Sequence, residues 1–136
     1  MLRPSRGAVA LCLFAGTSDT LTGLGLLLAP AAVLGALRVP LPTDMVFIRW
    51  LGVFVFAVGA LYGTPFARRE PAARFSRLLG ALEATALVRG AVAAFLGVAV
   101  ASGALAAAWL TVAAFDAGVA AIQVALLARG RVGRVA

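Results

Sequence analysis

Four charged side chains and one amide of this chain, Asp19, Glu83, Arg89, Asp116 and Gln123, fall inside stretches otherwise apolar enough to cross a bilayer. A charge at mid-membrane costs roughly 2.5 to 3.5 kcal/mol on insertion scales, so such residues face a protein interior and pair. Two aspartates around one guanidinium suit ion pairing with carboxylate–guanidinium fork geometry. Such a group acts either as a structural clamp that fixes helix register or as the lining of a midplane pocket for a small molecule or ion. A carboxylate used as general acid or base is the third chemistry open to it, and no nucleophile and base pair accompanies these residues. Trp109 and Gln123 lie one heptad on either side of Asp116 and join the candidate cluster, as does Arg49, near the start of its own apolar stretch.

The elements that must position these side chains are membrane helices. The 136 residues are 63% hydrophobic and only 12% charged, far from the roughly 25% charge of soluble chains. An all-α, integral membrane four-helix transmembrane bundle is expected, antiparallel and up-down-up-down, as one domain over residues 1–136 with spans at about 8–29, 45–62, 78–101 and 104–128. Arg3 and Arg6 ahead of an apolar run resemble a signal peptide, but that run continues to Ala29 without an Ala-x-Ala site, so it reads as the first span. Pro30 ends it, and the short apolar segment closed by Arg38 is expected to lie along the interface. Thr43 or Asp44 is the expected N-cap of the second span, with Arg49 and Trp50 as interface anchors. Pro71 suits a first helical turn, so the third helix is expected to begin ahead of its apolar part. Ser102 and Gly103 break the last apolar stretch into a hairpin, since one uninterrupted helix would overrun a hydrocarbon core of about 30 Å.

Counting from helix ends at about 1.5 Å per residue puts Asp19, Arg89 and Asp116 near the same midplane depth. Glu83 lies nearer one end of its span, without a partner at its depth. Heptad spacing suggests inward seams: Cys12, Gly16, Asp19 and Gly23; Arg49, Gly52, Phe56, Gly59 and Gly63; Gly80, Glu83, Leu87, Gly90, Ala94 and Gly97; Trp109, Val112, Asp116, Val119 and Gln123. Small residues along such seams let membrane helices approach. Arg89 falls beside its seam rather than on it.

All twelve basic residues are arginine, and the formal net charge is +7. Arg3 and Arg6, then Arg68, Arg69, Arg74 and Arg77, then Arg129, Arg131 and Arg134 would share one side of the membrane, against Arg38 and Arg49 on the other. The asymmetry predicts a bacterial inner-membrane protein with both termini cytoplasmic and anionic headgroups beside the arginines. Nucleic acid is not an expected partner, because basic-patch criteria presume a water-facing surface. A single cysteine, Cys12, and no histidine leave no internal disulfide, no cysteine cluster and no histidine-based metal centre. No cofactor is indicated.

Four short helices, the RWLGVFVFAVGALY stretch of the second and the proline that closes the first resemble the small bacterial DoxX-like membrane proteins. The resemblance implies an inner-membrane four-helix bundle, in a superfamily with links to redox accessory roles, and carries no site residues. A structural or accessory membrane protein is the leading expectation. The alternatives are a binder or transporter of a small molecule or ion and, third, a carboxylate enzyme. A small-molecule ligand, a homo-oligomer and a partner membrane subunit all remain open.

Overall fold

A computed structural model describes residues 2–67 and 69–135, with side chains described over 4–67 and 69–133. Arg68, counted above in the basic loop, lies outside the described residues. In chain order the elements are strand β1 (Leu2–Pro4), helices α1 (Arg6–Leu28), α2 (Pro30–Ala36), α3 (Met45–Gly63), α4 (Pro71–Ala101) and α5 (Leu110–Ala128), and strand β2 (Gly133–Val135). Single 3-10 turns at Thr64–Ala67 and Ala107–Trp109 follow α3 and precede α5. With these turns included, four helical segments are long and apolar enough to cross a membrane.

Local chemistry sets the helix ends. Ser5 caps α1, its hydroxyl accepting from the Ala8 N–H at 3.2 Å. Pro30 cannot donate to an α1 carbonyl, so α1 stops and Pro30 opens α2 as a first-turn residue. Helix α2 closes with Val39 N–H donating to Leu34 O at 2.9 Å and Arg38 in the left-handed region at φ 56°, a position that glycine usually fills. Of the two expected caps for α3 it is Asp44 that acts, accepting from Val46 N–H at 2.8 Å. Pro71 opens α4, whose 31 residues include the basic turns ahead of Leu78. At about 1.5 Å per residue α4 is longer than a 30 Å hydrocarbon core, so only part of it fits one crossing. The last span starts later than expected, at Ala107 rather than Ala104. Gly103 at φ 75° and the Leu105 N–H bond to Ala99 O take up the intervening residues as a turn.

Helix α1 packs chiefly on α3, and α4 on α5. The α1–α3 contact is backbone to backbone. A Cβ on Gly23 would lie 2.7 Å from Gly52 O, so no side chain fits at that crossing. Leu34 of α2 folds back onto Leu26, Val39 and Ile48 and closes one end of the α1–α3 pair. At the other end the all-α expectation needs one amendment: β1 and β2 form an antiparallel ribbon with Leu2 opposite Val135 and Pro4 opposite Gly133. The ribbon continues through Ser5 N–H to Val132 O at 2.7 Å, and Val132 is buried with Ala8, Cys12, Leu78 and Leu82. Both ends of the described chain therefore meet on one side of the bundle.

Candidate functional site

Helices α1, α3, α4 and α5 each contribute side chains to one polar cluster. Arg89, mid-way along α4, is 3% exposed. Its Nη2 donates to Asp19 Oδ2 of α1, its Nη1 to Asp116 Oδ1 of α5, and its Nε to the Tyr62 hydroxyl of α3 at 3.0 Å. The guanidinium carbon lies 5.7 Å from the Tyr62 ring centroid and 5.5 Å from that of Phe115. Both distances fall within cation–π range. Each aspartate gives one oxygen to the guanidinium, so the contact is two single ion pairs and not the bidentate fork.

A second layer extends along α4 and α5. Gln123, two turns beyond Asp116, is fully buried; its Nε2 donates to the Tyr62 hydroxyl at 2.9 Å and to Thr85 Oγ1 at 2.7 Å. Thr85, one turn before Arg89, returns its proton to Ala81 O at 2.6 Å. The Tyr62 hydroxyl thus accepts from both Arg89 and Gln123 and links the two layers. Gln123 Oε1 is buried with no hydrogen-bond partner among the described residues. Tyr62 and Thr85 were absent from the sequence-derived cluster. Their signal was present: Thr85 stands four residues before Arg89, on the same helix face, and Tyr62 carries a hydroxyl that needs a partner once buried.

The other candidates lie elsewhere. Glu83 is exposed on the outer side of α4. The seam drawn through Gly80, Glu83, Leu87 and Gly90 is the outward face; a Cβ on Gly80 or Gly90 would meet nothing within 4 Å. The buried face is Leu78, Leu82, Thr85, Ala86 and Arg89, so Arg89 is on the inner face and not beside it. Arg49 and Trp50 are exposed near the start of α3; of the same seam Gly52 and Gly59 are buried against α1, Gly63 is exposed, and Phe56 keeps its backbone against Gly23 with the residue partly exposed. Trp109 packs on the Leu26, Leu34 and Ile48 cluster, away from the polar layer. The α1 seam of Cys12, Gly16, Asp19 and Gly23 is buried throughout.

What the cluster can do follows from its packing. A groove of about 280 Å³ between α1 and α3 is lined in part by Tyr62 but not by Asp19, Arg89 or Asp116. Their side chains are 3% exposed for Arg89, 10% for Asp19 and 15% for Asp116, so the ion pairs meet in closed helix packing. Among the described residues no three His, Cys, Asp or Glu side chains gather to hold a metal ion. Comparison with models of known protein families, with curated proteins and with solved structures found no match to this chain.

Proposed function

We propose that this chain is a structural or accessory protein of the bacterial inner membrane, a four-helix bundle in which Asp19, Arg89 and Asp116 clamp the helices in register. The observation that carries the reading is Arg89, 3% exposed and bonded at once to side chains of three other helices. A buried guanidinium with three partners fixes both the depth and the rotation of each helix, because a slip of one residue would strand charges out of water. The up-down-up-down antiparallel arrangement is supported by the α1–α3 contacts, where Gly16 meets Gly59 and Tyr62 while Gly23 meets Gly52 and Phe56. The paired termini suit an even number of crossings, and the arginine asymmetry favours a cytoplasmic side for them. Hydropathy and helix count, which carry the resemblance to DoxX-like proteins, are compatible with this role.

A second reading, a pocket for a small cation, is favoured by one observation: two aspartates meet a single arginine, leaving the cluster one negative charge in excess when both are ionised. The two readings differ in what carboxylate-to-amide changes do. For the clamp, Asp19→Asn and Asp116→Asn each lower the melting temperature of the purified protein; for the pocket, melting is unchanged and stabilisation by added cation is lost. Recovery of the chain outside the membrane fraction would refute the membrane reading, and a C-terminal reporter active only in the periplasm would refute the orientation.

A further inference from the structure

The close crossing of α1 and α3 leaves a groove along its outer side, of about 280 Å³. It runs from Cys12 and Gly63 at one end to Thr20 and Leu21 at the other, with Gly16 and Gly59 among its lining residues. Its length accommodates a segment of one hydrocarbon chain. The nine helical steps of α1 from Cys12 to Leu21 rise about 13.5 Å, close to half of a hydrocarbon core of about 30 Å. A helix, about 10 to 12 Å across with its side chains, does not fit in it.

Beyond the Cys12 end of the groove the chain is basic. Helix α1 begins at Arg6, six residues or about 9 Å before Cys12, and Arg69 stands three residues beyond Phe66 in the chain; both arginines are exposed. Arg129 and Arg131 are exposed near the same end, where Val132 bonds Ser5, and Glu70 is the acid beside Arg69. We infer that the α1–α3 groove seats one acyl chain of an anionic phospholipid, with its phosphate on Arg6 and Arg69. The inference rests on the membrane reading and concerns a surface that the clamp does not use. An uncharged headgroup fills the slot equally well but gains nothing from the arginines, so selectivity comes from the rim and occupancy from the groove.

The test is native mass spectrometry of the full chain in detergent, titrated in turn with 1-palmitoyl-2-oleoyl phosphatidylglycerol and with the matching phosphatidylcholine. One tightly retained phosphatidylglycerol is expected, preferred by about 25-fold if each of two arginines contributes about fivefold. Arg6→Ala with Arg69→Ala removes the preference and leaves chain binding. Gly63→Leu fills the groove without a clash, since a Cβ there meets nothing within 4 Å, and Ala60→Leu serves as a second filling variant. Both are expected to lose the bound lipid while melting as the wild type does in lipid-free detergent. Equal retention of the two lipids, or unaltered retention in either well-folded filling variant, overturns the inference. Loss of a dimer in place of a lipid would assign the groove to a second copy and overturn it as well. The membrane reading fails separately, if the chain is not recovered with membranes at all.

Discussion

Replacing Arg89 by alanine removes the donor that Asp19, Asp116 and Tyr62 share and leaves two carboxylates facing each other across closed packing. Arg89 is 3% exposed and the two carboxylate side chains 10% and 15%, so water is poorly placed to take its role. Breaking a buried ion pair from one side costs about 3 to 5 kcal/mol, a large part of a typical stability of about 5 to 15 kcal/mol. Removing one stranded carboxylate as well, in Arg89→Ala/Asp19→Ala or Arg89→Ala/Asp116→Ala, should return part of that loss, a coupling of about 0.5 to 3 kcal/mol. Asp19 is the more deeply buried acid, so its removal is expected to return more. Glu83 provides the control. It sits six residues from Arg89 on the outer face of α4, so Arg89→Ala/Glu83→Ala should be additive within about 0.5 kcal/mol. The assay is unfolding of the purified protein in mild detergent by titration with dodecyl sulfate, followed by far-ultraviolet circular dichroism. Additive losses in both aspartate double variants would refute the ion-pair account, as would coupling of Arg89 to Glu83 of the same size.

Two further predictions address the packing around the cluster. Gly23→Ala drives a Cβ to 2.7 Å from Gly52 O and from Phe56 Cα and should cost about 1 to 3 kcal/mol as overpacking. Gly90→Ala points into open space and should be neutral or gain about 0.5 to 1 kcal/mol from helix entropy; a pair of melting curves in detergent decides, and equal losses at both sites would contradict the assigned faces. Tyr62→Phe strands the Arg89 Nε donor and should cost about 1 to 3 kcal/mol, whereas Gln123→Leu also removes an unpartnered buried oxygen and should stay within about 1 kcal/mol of wild type. The same dodecyl sulfate titration ranks the two, and a larger loss for Gln123→Leu would contradict the hydrogen-bond account.

The sequence by itself determined length, depth and ends. Four apolar stretches and their breaks follow from hydropathy, proline and glycine. The level shared by Asp19, Arg89 and Asp116 follows from a fixed rise per residue, and the structure brings these three into contact. Rotation about the axis of α4 was decided only in the tertiary structure. In a helix with one polar face that face marks the outside, but these helices are apolar nearly all round, so leucine, alanine and glycine do not tell inside from outside. On α1 the seam held an aspartate that had to turn inward, and Cys12, Gly16 and Gly23 turned with it. On α4 two charges competed for that role, and spacing favoured the glycine row that carries Glu83. The structure turns α4 the other way because Arg89 has partners on three helices, whereas no ion pair involving Glu83 occurs among the described residues. Tyr62 and Thr85 joined the cluster, beside the expected Gln123, for the same reason: once Arg89 fixes the rotation, the polar atoms on that face must bond one another.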